Sequence, residues 1–406
     1  MLEIGPILRS LLRRSTIAIL IATQCAVVIA ILLNLYVGIS FQIKRVSQPS
    51  GIDHRNMFYI SVLIADTDLS VEEISSVVET DLNHIRNLPG VIDAVQTISI
   101  PYTGSGWSYS IEVDPTDQKS PMSSQYRMID NHGLNTLGTQ LLAGRNFLPE
   151  EVTWYLPYGG TSPQLVLLSK QLAEALFPDT PLNEIIGKQV HTTGPLTVIG
   201  IVATTHGAWQ NPEGIHEISY VPQKQALDAS TYLVRTSSGS RDNVIRTVEQ
   251  SLPNLFRNRL IRRITTIEEA MKRQYAGPIA SIWVMGATSA ALVFVVVCGL
   301  TGMVTFAIRR RTAHIGIRRA LGATRFDIMR SLLVEYALVI GVGVILGVVL
   351  AVSLNVFMVR NLDYAKLSVL PSTFVVIATV SVSMLSVVLP ARQANSVDPA
   401  QATRVT

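Results

Sequence analysis

Seven histidines, two cysteines and a scatter of carboxylates are the residues of this sequence equipped for metal binding, proton transfer or nucleophilic attack. His54, His84, His132, His191, His206, His216 and His314 form no H-E-x-x-H and no pair at i, i+4, the spacing that turns two imidazoles toward one zinc ion. His206 and His216 share a Gly/Pro-bearing stretch, and a pair so spaced reads as surface loop. No G-x-S-x-G is present, and the Gly104-Ser105-Gly106 turn has no base beside it. A phosphate-cradling loop needs G-x-x-x-x-G-K-[ST]. Here Gly187-Lys188 is followed by Gln189, and Leu182 stands where the first glycine belongs. The pairs Glu72-Glu73 and Glu150-Glu151 read as solvated faces. Cys25 and Cys298 lie inside apolar runs, so no disulfide framework can be read. The residues therefore point to no catalytic site, no metal and no cofactor.

One stretch does carry chemistry. Residues 309–336, RRRTAHIGIRRALGATRFDIMRSLLVEY, are too charged for hydrocarbon and too apolar, at Ile315, Ile317, Ala320 and Leu321, for a plain linker. Gly322 is a natural helix stop. Thr324 followed by Asp327 has capping-box spacing and would start the next helix. The pattern predicts a short amphipathic helix that turns at Gly322-Ala323 and feeds the next apolar segment. Such a helix either docks on a protein or rests on anionic lipid, and the residues alone leave both open. Glu335, about one turn into that apolar segment, would reach the interface or pair with Arg330 or Arg14. Gly343-x-x-x-Gly347 is a close-packing pattern as much as ordinary membrane-helix glycine. Asn34, Gln24 and Asn355 have amides for bonds between helices or to their own backbone.

The elements holding these residues follow from composition. The 406 residues are 48% hydrophobic and 15% charged, against about 25% charged for soluble domains. Four apolar segments, 17–43, 278–308, 331–359 and 372–389, have the length to cross a hydrocarbon core roughly 30 Å thick. The first is too long for a cleaved leader and no small-x-small site follows it. Residues 44–277 hold 19 Lys and Arg against 24 Asp and Glu, a balance of −5, and the rest of the chain carries +9. The basic residues flank apolar runs instead of clustering on a soluble domain with aromatics, which excludes a nucleic-acid partner. Arg9, Arg13 and Arg14 precede the first segment, and Arg309, Arg310, Arg311, Arg318, Arg319, Arg325 and Arg330 lie between the second and third. By the positive-inside rule, 1–16, 309–330 and 390–406 are cytoplasmic, and 44–277 and 360–371 are outside.

The predicted fold class is thus a multi-pass α-helical membrane protein with four transmembrane helices and a large α/β extracytoplasmic domain between the first and second spans. In that domain, 57–64 reads as a strand, 71–87 as a helix stopped by Pro89-Gly90, and 91–100 and 107–113 as strands. Residues 131–138 suggest a short helix before a strand at 141–147. Residues 165–168, 196–202 and 218–221 read as strands, with Ser169 capping a helix over 170–177. Residues 231–235, 243–252 and 260–264 form a second β-α-β set. Two such sets around a middle insert, about 151–224, predict one subdomain built from both ends and another inserted within it.

The motifs themselves carry a resemblance. Residues 314–323, HIGIRRALGA, and the segment after them resemble the signature loop of the MacB/FtsX-type ABC transporter permeases. The tail 390–404, PARQANSVDPAQATR, is similar to the P-A-R-x-A-x-x-x-D-P-x-x-A-x-R ending of that family. Gly144-Arg145-Asn146-Phe147 matches its G-R-x-F turn, and 165–202 resembles its middle periplasmic insert, so the likeness covers essentially the whole chain. Residues 278–400 would be the FtsX-like permease region, in a bacterial inner-membrane protein with both termini cytoplasmic. His314 stands where the family usually has Glu. With no ATP-binding domain in this sequence, the resemblance leads one to expect a split-subunit member.

The resemblance implies a non-catalytic subunit that couples ATP hydrolysis in a separate cytoplasmic ABC ATP-binding subunit to movement of the periplasmic domain, for efflux. Ile315, Gly316, Ile317, Arg318, Arg319, Ala320, Leu321, Gly322 and Ala323 would make the ATPase contact. A second permease copy or paralogue would complete a dimer, with a periplasmic adaptor, an outer-membrane channel and membrane lipid as further partners. Within the family, a regulator of a cell-wall hydrolase and a lipoprotein-releasing subunit are the alternatives. A membrane receptor is the alternative from another class, but it needs a signalling module that none of the short cytoplasmic segments can hold.

Overall fold

The computed structural model of the chain describes residues 15–65, 69–116, 121–156, 162–209, 214–256, 258–312, 316–317, 321–362 and 364–394. The chain divides into an α/β unit, Arg45–Gly277, and a helical unit that joins the N-terminal helix to the part from Pro278 onward.

Helix α1 (Ser15–Val46) runs unbroken because no proline or charge interrupts its apolar stretch. In the α/β unit, β1 (Met57–Ile64) alternates between two buried faces: Met57 and Tyr59 enter one core, Phe58, Ile60 and Val62 the other. Helix α2 (Val71–Arg86) starts at a capping box. Ser70 Oγ accepts from Glu73 N at 3.3 Å, and the Glu73 carboxylate accepts from Ser70 N at 2.8 Å. Its Val78, Leu82 and Ile85 recur at helical spacing and fill the core that Phe58 enters. Strand β2 (Val91–Gln96) follows.

The middle of the chain supplies β3 (Trp107–Ile111), β4 (Met122–Ile129), α3 (Gly133–Leu137), β5 (Leu141–Gly144) and β6 (Thr153–Tyr155). It continues with β7 (Leu165–Ser169), α4 (Lys170–Leu176), α5 (Leu182–Ile185), β8 (Gln189–His191), β9 (Pro195–Val202) and β10 (Ile218–Gln225). Then β11 (Ala229–Thr236), α6 (Arg241–Ser251) and β12 (Arg259–Thr266) return to the first sheet.

The two ends build a four-stranded antiparallel sheet in the order β12-β1-β11-β2, with Phe58 opposite Val234 and Ile60 between Tyr232 and Ile264. Side chains of α2 and α6 cover one face, and the other meets residues of the insert such as Ile129, Leu167, Ile218 and Tyr220. The insert is a mixed sheet along β3-β4-β10-β7-β9-β5, with β6 beside β10 and β8 beside β9.

The insert is therefore larger than its expected bounds of 151–224: its sheet already takes strands from Trp107, Met122 and Leu141. Strand β4 escapes a periodicity reading because Ser123, Ser124, Gln125 and Arg127 spoil the alternation. Ser123 is exposed, while the others are buried and satisfied inside, Ser124 Oγ by Ser219 Oγ at 3.1 Å, Gln125 Oε1 by Ala208 N at 2.8 Å and Arg127 Nε by Ser99 O at 2.9 Å. The strands expected to reach residues 100, 113 and 147 stop at Gln96, Ile111 and Gly144.

Among the described residues, four helices are long and apolar enough to cross a membrane: α1, α7 (Ile267–Arg310), α8 (Arg325–Leu362) and α9 (Val369–Ala394). Helix α7 begins well before the span expected at 278, and Pro278 lies inside it. In the helical unit one core joins all four: Ile21, Cys25 and Val28 of α1, Leu300 and Val304 of α7, Leu332 and Tyr336 of α8, and Val387 of α9.

Candidate functional site

The loop between α7 and α8 is fixed at both ends. At its start, Arg311 Nη1 donates to both carboxylate oxygens of Glu335, at 2.9 and 2.8 Å. The partner of Glu335 is thus Arg311, and not Arg330, one of the readings the sequence left open; Arg14 lies outside the described residues. The reason is helical phase. Arg330, five residues before Glu335, points about 140° away around the helix. Arg311 follows the last turn of α7, whose Val304 and Ile308 share a core with Leu332 and Tyr336.

At its end the loop carries the expected capping box: Thr324 N donates to the Asp327 carboxylate at 3.1 Å, and Asp327 N donates to Thr324 Oγ1 at 3.2 Å. Gly322 has φ +96°, the left-handed conformation a helix stop takes, and Leu321 N donates to Ile317 O at 3.0 Å. Between these anchors, Gly316 is buried, while Ile317 is 55% and Leu321 83% exposed. Ala323 is half-buried. Ile315, Arg318, Arg319 and Ala320 of the proposed contact, with His314, lie outside the described residues, as does the tail from residue 395. Ile317 and Leu321 are thus two exposed aliphatic side chains between these anchors.

Three polar side chains inside the helical unit, Asn34, Asn355 and Tyr364, come together. Asn34 Nδ2 donates to Ala30 O in its own helix at 2.9 Å and to Ala351 O of α8 at 3.2 Å, so the local and the interhelical readings hold together. Asn355 Nδ2 reaches Asn34 Oδ1 at 3.4 Å and Ala365 O at 3.1 Å, and its Oδ1 accepts from Leu367 N at 3.0 Å. The Tyr364 hydroxyl donates to Asn34 O at 3.1 Å. This network ties α1, α8 and the turn before α9. Gln24 Nε2 donates to Val295 O of α7 at 3.2 Å. Gly343 and Gly347 face α1: a Cβ on the first would lie 2.7 Å from Ala22 O, and on the second 2.8 Å from Ala26 O.

The α/β unit corrects one reading. His206 is no surface loop residue; it is fully buried, stacked on Tyr102. Arg127, also fully buried, gives no signal in the sequence, because a cation in a strand without polar/apolar alternation leaves no pattern to read. Among the described residues, no three His, Cys, Asp or Glu side chains are placed to hold a metal.

Residues 16–251 match the family profile of the MacB-like periplasmic core domain, and residues 286–399 that of the FtsX-like permease C-terminal region. A macrolide export ATP-binding/permease protein MacB of Marinobacter nauticus is 24% identical over 344 residues, 81% of this chain and 49% of that protein. Its counterpart from Burkholderia thailandensis is 26% identical over 366 residues, 82% of this chain and 53% of its own length. The chain thus spans about half the length of the curated relatives it matches. Among solved structures, the periplasmic region of MacB from Actinobacillus actinomycetemcomitans aligns with 55% of this chain and 94% of that one, at 17% identity and a TM-score of 0.34.

Proposed function

Since this chain belongs to the MacB/FtsX-type ABC transporter permeases, we propose that it works with a separate cytoplasmic ATPase whose turnover moves the periplasmic domain for export across the cell envelope. It is a multi-pass inner-membrane permease subunit of a transporter. The observation that supports the finer reading is the loop bracketed by Arg311–Glu335 and Thr324–Asp327, with Ile317 and Leu321 left bare between them. A loop with fixed ends transmits a push to both helices, whereas a slack one absorbs it. On this reading residues 315–323 seat in the ATPase cleft, arginines meet its acidic rim, and both chain termini are cytoplasmic. ATP is bound by the partner, and a second copy or paralogue completes the transporter. An adaptor and an outer-membrane channel would carry cargo onward. Export is the direction favoured by the relatives' printed name.

The test is partner retention. Leu321→Asp places a carboxylate where an apolar side chain should seat; losing such a contact costs about 2 kcal/mol or more, roughly a 30-fold loss of retention of a co-expressed ATP-binding subunit. Arg309→Asp, on the exposed end of α7, changes the loop's charge more but touches no proposed contact. A loop resting on lipid would respond to charge, at about 1 kcal/mol per basic residue, and so suffer more from Arg309→Asp. Equal retention, or a larger loss in Arg309→Asp, removes the docking assignment.

A further inference from the structure

The α/β unit holds a buried cluster that the transport reading leaves unused. Loop residues 204–208, after β9, carry His206, whose ring stacks on Tyr102 with centroids 3.9 Å apart and planes at 27°. Tyr275, in the first turns of α7, meets it edge-on at 6.5 Å. His206 Nδ1 lies 2.7 Å from Gly207 O, which can only accept, so Nδ1 carries the proton. Nε2 is then the bare nitrogen, and it accepts from the Tyr275 hydroxyl at 3.2 Å.

The same loop is gripped from three more directions. His206 N donates to Ser50 O at 2.9 Å, just past the end of α1. Gln274 Nε2, one residue before Tyr275, donates to Ala208 O at 3.0 Å. Arg127 on β4 donates from Nη2 to His206 O at 3.1 Å, from Nη1 to Thr205 Oγ1 at 3.3 Å and from Nε to Ser99 O at 2.9 Å. Tyr102 itself has φ +66°. A bulky side chain holds that left-handed conformation only where its surroundings over-determine it, and such positions collect at switch regions.

We propose that the Ser50, His206 and Tyr275 contacts form a clasp that holds both ends of the α/β unit, the segment after α1 and the start of α7, on loop 204–208, and that a proton on His206 Nε2 opens it. A second N–H there would face the Tyr275 hydroxyl, which would have to turn its own proton toward its other partner, Tyr102, so the bond from hydroxyl to bare nitrogen would be lost. Among the described residues, no carboxylate acts on the new charge. Among the described residues, the titratable and charged groups facing His206 are Tyr102 after β2, Tyr275 on α7, His216 before β10 and Arg127 on β4, whose guanidinium lies over Tyr220 of β10. His216 is itself held, Nδ1 near Thr205 O at 3.0 Å and Nε2 near Gln48 Oε1 at 3.3 Å.

Burial, with His216 and Arg127 nearby, holds the His206 imidazole down at about 4 against the pull of Gly207 O. The sign follows: a folded value below the ordinary 6.5 favours the closed clasp above that pH and disfavours it as pH falls toward 4. Between pH 7.5 and 5, linkage gives about a 30-fold shift toward the open form.

Hydrogen exchange on the full chain in detergent tests this, with exposure times scaled for the intrinsic pH dependence of amide exchange. Segments covering 99–105, 204–208 and 269–276 should be protected at pH 7.5 and lose about 30-fold in protection at pH 5, while 57–64 stays protected. His206→Gln, neutral at both pH values, should lose that pH response. Tyr275→Phe keeps the ring but removes the donor that favours the bare nitrogen, so its opening midpoint should lie at higher pH than in the unmodified chain. This second variant decides the matter should His206→Gln not fold. An unchanged pH response in His206→Gln, an unmoved midpoint in Tyr275→Phe, or loss of protection in 57–64 together with the rest would overturn the clasp. The readout involves no ATPase, so it stands apart from the retention assay.

Discussion

Asp81 sits on α2 with its carboxylate out of water, shared by Arg259 of β12 in an ion pair and by the Tyr232 hydroxyl of β11 at 2.8 Å. Burial pushes this carboxyl up to about 6, more than Arg259 and Tyr232 pull it down. Desolvation of a buried pair often exceeds its mutual attraction, which is how an acid beside a guanidinium ends above its ordinary range. A raised folded value means the folded chain binds this proton before the unfolded one does. Its contribution is therefore present at low pH and lost as pH rises from about 4 through about 6, by roughly 2–3 kcal/mol at most. His206 acts in the opposite sense, so the stability of the whole chain understates both. Comparison with Asp81→Asn isolates the carboxyl: whatever the offset between the two proteins, the unmodified chain should lose melting temperature relative to the variant between pH 5 and 7. A relative gain would show that Arg259 dominates.

At the scale of elements, the helices of the membrane unit are registered by two kinds of contact. The Asn34–Asn355–Tyr364 network fixes depth, because an amide in hydrocarbon seeks the few acceptors at its own level. The glycines fix distance. Overfilling a packed contact costs typically 1–3 kcal/mol, and a side chain on Gly347 would meet both Ala26 O and Ile29 Cβ, at 2.8 and 2.9 Å. Gly341, on the same helix, has nothing within 4 Å of where its Cβ would stand. Gly347→Leu should therefore lower the thermal stability of the purified chain in detergent by that amount, and Gly341→Leu should leave it nearly unchanged. Matching losses in the two would mean that α1 and α8 do not pack through this face.

For the whole molecule, the prediction is topological and comes from the arginine distribution. In a chain lacking Cys25 and Cys298, cysteines placed at the exposed Ser105 or Ser238 should react with an impermeant thiol reagent applied to intact spheroplasts. One at Ser396 should react only after permeabilisation. Labelling of Ser396 from outside would invert or break the four-span arrangement. The same distribution explains why a net charge of +4 describes neither unit: the acidic balance belongs to residues 44–277 and the basic one to the membrane flanks.

Length and hydropathy alone determined the four apolar helices, since a span must satisfy its own backbone and so writes itself into contiguous sequence. Local chemistry likewise determined the Ser169 and Thr324 caps and the strand at 57–64. Tertiary structure decided whatever depends on residues far apart in the chain. Strand β4 is buried with polar side chains because its partners come from β10 and from the loops holding Ala208 and Ser99. Glu335 finds Arg311 across a helix pair, not Arg330 along its own helix. His206, one of seven scattered histidines, becomes a buried junction only because residues 50, 102, 127 and 275 are folded onto it. A sequence records spacing along one line, and an imidazole's environment is set by which distant segments close around it.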